Sequence, residues 1–265
     1  MVNDTGTTDL QIHVQTRGTV EDYTFLAGPG PSPWWRAHAK RTRFEEPVVL
    51  VESDPDGWRC YVGGLATDRA DRVGTTIRVS VVFEGAHGAH EQVVRLVAAA
   101  ITAIGSAGAA RLPVLDEQFT ADYVDGVLQS TVTGDDAGAR VLAAIEELPA
   151  QTLSTARHGS WAGGVAHPNA AAAFAERTSA LLSGKVGVAL YLNEIASADE
   201  ASDLLDRPGE VALLVPGDEG ITPLRPKARA PMTARSETSR WWLMAVVTTA
   251  AILLAAVIRW IFWSS

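Results

Sequence analysis

The chain has 265 residues, 47% of them hydrophobic, with 22 basic and 31 acidic side chains for a net charge of −9. That length is enough to bury one good core or two small ones. The single cysteine, Cys60, excludes an internal disulfide and suits a reducing compartment, and the negative balance disfavours nucleic-acid binding.

The opening stretch, MVNDTGTTDLQIHVQT, has neither a basic nor an apolar leader region and is not read as a signal peptide. Leu10, Ile12 and Val14 then alternate as in a strand, as does a short run at Tyr23–Leu26. Next comes Gly28-Pro-Gly-Pro-Ser-Pro-Trp-Trp, a stiff segment tipped by Trp34 and Trp35. Exposed, that pair suits a partner surface; buried, it staples the first strands to the core. PVVLVES (47–53) and WRCYVGGL (58–65) flank the turn signal Asp54-Pro55-Asp56-Gly57 and read as a hairpin.

The densest polar cluster runs from Thr67 to Arg78 and reads as the loop to the next strand. Asp68, Arg69, Asp71, Arg72 and Arg78 are its candidate ligand-binding residues. Three guanidinium forks suit a phosphate or carboxylate, whereas the two aspartates suit ion pairs that hold the loop shut. Ile77, Val79, Val81 and Phe83 alternate as a strand. His87 and His90 follow between Glu84 and Glu91. A metal reading there needs further ligands from His38, His158 or His167, which nothing in the sequence brings close, so no metal or cofactor is assigned.

A helix is expected over Glu91–Ile104, with Val94, Val97, Ile101 and Ile104 on its apolar face. Two more are expected over Asp116–Leu128 and Asp136–Leu148. His158-Gly-Ser-Trp-Ala-Gly-Gly departs from a nucleophile elbow on both sides of Ser160 and reads as a tight turn. Asn169 is the expected cap of the next helix. Leu182-Ser-Gly-Lys185-Val is not a phosphate-binding loop, because the upstream glycine and the hydroxyl residue are missing. Val186–Leu192 and Glu210–Val215 read as strands, with a helix capped by Ser197 between them, which points to parallel pairing. The fold class expected is α+β or α/β: a mixed domain over residues 1–222, β-rich first and alternating β/α afterwards. A split near residue 150 is the alternative.

Pro223–Arg240 holds three prolines and scattered charge and reads as an extended tether. Trp241 to Ile258 runs 18 residues without charge, proline or glycine. Residues 241–263 as a helix span about 33 Å, close to a bilayer core of about 30 Å. Trp241 and Trp242 mark one end, Trp260 and Trp263 the other, and Arg259 can snorkel to headgroups. Six basic residues and one acidic lie in 223–265, leaving 16 basic and 30 acidic in 1–222: +5 against −14. The basic stalk is drawn to anionic lipid, and the positive-inside rule keeps the amino-terminal bulk in the cytoplasm. Thr248, Ala251 and Ala255 form a small-residue face on which such helices can pair as a homo-oligomer.

The expectation is a tail-anchored, single-pass protein of a bacterial inner membrane; scarce lysine and abundant alanine fit a GC-rich genome. Its acidic cytosolic domain would bind or regulate a protein or small ligand at the membrane face. The first alternative is a membrane-acting effector or sensor of a bacterial conflict or antiphage system, in which oligomerising spans perturb the bilayer. The second is an anchored enzyme, although no complete catalytic motif is present.

Overall fold

The computed structural model describes residues 10–28, 30–32, 34, 46–107, 110–153, 155–193 and 208–224. The span at 241–263, with Trp241, Trp242, Thr248, Ala251, Ala255, Arg259, Trp260 and Trp263, lies outside the described residues. So do Trp35, the Ser197 helix and the tether from Arg225 onward. Among the described residues no helix is long and apolar enough to cross a membrane.

One mixed nine-stranded sheet carries the fold. β1 (Gln11–Thr16) pairs antiparallel with the short β2 (Thr24–Phe25) and with β5 (Thr76–Gly85). The expected hairpin forms: β3 (Val48–Asp54) runs against β4 (Gly57–Ala70), and β4 runs against β5. On its other side β3 pairs with β7 (Gly187–Leu192), with Val48 opposite Leu192, so strands from both sides of residue 150 share one sheet. β7 is parallel to β8 (Glu210–Val215), as the strand–helix–strand pattern led us to expect, and β8 is parallel to β6 (Trp161–Gly164). β9 (Thr222–Pro223) closes the edge, so the sheet extends to Pro223.

Continuous apolar runs such as Glu210–Val215 arise because both sheet faces are buried. Val49, Val51, Val62 and Val81 face one side, where the helices pack. Val48, Leu50, Leu190 and Leu213 face the other, where Trp34 packs against them partly buried.

The first face is covered by α1 (Glu91–Ala107), α2 (Pro113–Gln118), α3 (Ala121–Leu128), α4 (Ala137–Glu146) and α5 (Pro168–Leu182). Four sequence expectations change. The single helix over Asp116–Leu128 is two, broken where Phe119 drops fully into the core and Thr120 caps α3 through its side chain. Helix α5 begins at His167–Pro168 rather than at an Asn169 cap; proline suits the first helical position, whose amide has no partner in any case. The expected turn around Ser160 leads into strand β6, a run too short and glycine-rich to show alternation. Lastly, β4 runs on to Ala70, so most of the expected 67–78 loop is strand, and the turn proper is residues 71–75.

α1 and α5 lie antiparallel, the start of α1 beside the end of α5. Close approach at the far end requires Gly105: a Cβ there would sit 2.7 Å from the Val165 carbonyl oxygen.

Candidate functional site

The polar cluster at 67–78 is assembled as a stiff hairpin end. Arg69 is half-buried and donates to the Arg17 carbonyl (3.0 Å) and to Thr16 Oγ1 (2.6 Å). Burial lowers its pKa from the ordinary arginine value, against the opposing fields of Asp116 and Asp125. Arg78 donates to the Gly64 carbonyl at 2.7 Å. Asp68 pairs with Arg111, which also meets Asp116 at 3.1 Å. Asp71 accepts from the amides of Val73 (3.0 Å) and Thr75 (2.8 Å) and meets Arg17 at 3.5 Å. Those amide bonds, Thr75 foremost, hold its pKa below the usual carboxylate value. Arg72 stays exposed on the turn. The guanidinium groups of Arg69 and Arg78 are thus turned to the chain's own carbonyls, apart from Arg72.

The two histidines point to different places. His87 Nε2 lies 2.9 Å from the Asp54 carbonyl, and His90 Nε2 lies 2.9 Å from that of Ala86. No group of three metal-ligating side chains occurs among the described residues. Ser160 Oγ accepts from the Val211 amide at 3.0 Å, a structural tie between β6 and β8. Lys185 meets Glu210 at 2.7 Å.

A cleft of about 290 Å³ opens between the start of α1 and the end of α5. A second hollow of about 360 Å³ lies between their opposite ends, and Gln151 lines both. The segment from Ala150 to Leu153 thus borders the groove between the helices.

His90 is the buried polar group of the first cleft, 5% exposed. Two interactions fix it. Its ring meets Trp58 edge-on at 4.6 Å, and Trp58 Nε1 donates to the same Ala86 carbonyl at 2.7 Å. That carbonyl only accepts, so Nε2 carries the hydrogen and Nδ1 of the neutral ring is an acceptor. Among the described residues Nδ1 has no hydrogen-bond partner.

Around it stand Arg95, Ser179 and Ser183, with Val94, Leu182 and Leu153 as the apolar wall. Arg95 meets Glu91 at 3.6 Å, a loose pair with Glu91 largely in solvent. Ser183 Oγ donates to the Ser179 carbonyl at 2.8 Å, and its oxygen lone pairs remain to accept. The cleft is legible in the sequence only as a pair of histidines before a helix. Arg95, Ser179 and Ser183 carry no motif and meet because two helices some 80 residues apart in sequence pack end to start.

No family model, no curated protein and no solved structure matches the chain.

Proposed function

We propose that this protein is a binding and regulatory module held at the inner face of a membrane. The acidic globule receives a small ligand in the cleft between α1 and α5, and the carboxyl-terminal run Trp241–Trp263 holds it to the lipid. The observation that carries the binding half is the cleft of about 290 Å³ between α1 and α5, where the buried His90 ring stands beside Arg95, Ser179 and Ser183. The membrane half rests on sequence. It comprises 18 residues without charge, tryptophans at both ends, and a stalk of +5 beneath a globule of −14.

Two experiments test the reading. In inside-out vesicles of a bacterial inner membrane, added protease digests the globule, whereas in intact spheroplasts it does not; protection in the vesicles contradicts the assigned topology. A low-molecular-mass cell extract raises the thermal unfolding midpoint of the full chain, and Arg95→Gln removes the rise. A midpoint that no fraction of the extract moves contradicts ligand binding.

A further inference from the structure

We infer that the connection from β7 to β8, residues 194–207, docks on the sheet face that carries Leu190 and Leu213, with its own apolar stripe as the cover of that face. This holds whether or not the cleft between α1 and α5 takes a ligand.

Sheet topology carries the inference. β7, β8 and β6 are neighbours in that order, and all three run parallel. The chain leaves β6, travels through α5 and enters β7, so it steps past β8 in one direction along the sheet. It then leaves β7 and returns to β8, in the opposite direction. A crossover between parallel strands of one sheet is right-handed in about 98% of cases. Two right-handed crossovers that run in opposite directions lie on opposite faces. α5 packs on the face of Val49 and Val51, through Phe174 and Leu181. The return from β7 to β8 therefore takes the other face. β7 ends at Leu192 and β8 begins at Glu210, which leaves more than the dozen or so residues that a crossover needs.

That face needs such a cover. Val188 and Leu190 on β7, Val211 and Leu213 on β8, and Ala162 on β6 are each at most 4% exposed. Among the described residues, the partly buried hydrophobic side chains packed against their cluster are Phe25, Trp34 and Leu224. Phe25 enters from β2, at the far edge of the sheet. Leu224 is tied by its amide to the Ser160 carbonyl (2.9 Å), at the start of β6. Three such side chains are too few to keep water from these five and from Val48, Leu50, Tyr61 and Val82 as well.

The segment itself is two-sided. At helical spacing Ala198, Ala201, Leu204 and Leu205 fall on one side, and Asp199, Glu200, Asp203 and Asp206 on the other. The apolar side matches the valines and leucines of β7 and β8. The four carboxylates are then left to water, where a charge costs least.

The test is methyl NMR of the full chain in detergent, labelled at isoleucine, leucine and valine methyls, with Leu204→Met and Leu205→Met to assign the two leucines. Cross-peaks through space are expected from Leu204 and Leu205 to the methyls of Val188, Leu190, Val211 or Leu213. Their absence overturns the inference. Cross-peaks from the two leucines to Leu96 or Leu181 overturn it too, because the return would then be left-handed. So do cross-peaks that join Leu190 and Leu213 instead to Leu253 or Leu254, or to a second copy in a mixture of differently labelled chains. Leu205→Asp is expected to lower the unfolding midpoint by at least about 5 °C, and Glu200→Lys by less than about 1 °C. Equal effects of the two variants would contradict the sidedness of the segment and with it the docking.

Discussion

The guanidinium of Arg177 is fully buried and lies 2.8 Å from the Glu210 carboxylate, joining α5 to the first residue of β8. The same group donates to the carbonyls of Arg157 (2.5 Å) and Gly159 (2.8 Å), which fixes the chain just before β6. Burial alone would make this arginine easier to deprotonate, and Glu210 opposes that. Removing one partner of a buried pair strands the other, at a cost of about 3–5 kcal/mol. Arg177→Met is therefore expected to lower the unfolding free energy by about 3 kcal/mol in urea titrations, since Lys185 still answers Glu210. A loss below about 1 kcal/mol would mean the pair is not the clamp described.

Acid should act on the same site. Burial raises the pKa of the Glu210 carboxyl, but Lys185, the Gly159 amide and Arg177 outweigh it and hold the value below the ordinary 4.5. A depressed carboxylate contributes stability above its unfolded pKa and loses it as pH falls through the folded one. Stability should thus fall as the pH drops below about 4.5, and Glu210→Gln should flatten that part of the curve. An unchanged slope in the variant would assign the acid sensitivity to other carboxylates.

The hairpin tip at 71–75 depends on one carboxylate. Asp71 accepts from Val73 and Thr75, its amide donates to Thr75 O (3.0 Å), and Gly74 N donates back to its carbonyl (3.0 Å) with Gly74 at φ +84°. Asp71→Ala should free the Val73 and Thr75 amides for rapid hydrogen exchange while leaving the β3–β4 amides protected. Retained protection at both positions would show that the backbone closes the turn alone.

Much of this architecture was readable from period and punctuation. The Asp54–Gly57 hairpin, the alternation of Ile77–Phe83, the apolar face of α1 and the parallel β7–β8 pair each follow from local pattern. What was illegible came from tertiary context. Phe119 breaks a helical pattern because its ring is drawn into the core; Trp161–Gly164 is a strand because β8 and β9 flank it. The cluster around Arg69 drew attention as charge, but the sequence could not show that Arg69 and Arg78 turn to main-chain carbonyls. His90 was visible, whereas its fixed orientation depends on the Ala86 carbonyl it shares with Trp58.

That shared carbonyl makes a prediction of its own. In ¹⁵N-labelled protein at alkaline pH, His90 should show the Nε2–H tautomer, with Nδ1 shifted as an unprotonated nitrogen. The Nδ1–H tautomer would remove the acceptor on which the cleft's chemistry rests.

Residues 241–263 are proposed to hold the chain in lipid. Alkaline carbonate extraction of membranes from cells expressing the full chain, beside a version ending at Leu224, measures this directly. The full chain should stay wholly with the sedimented membranes while the shortened one appears in the supernatant; release of the full chain by carbonate would contradict the account.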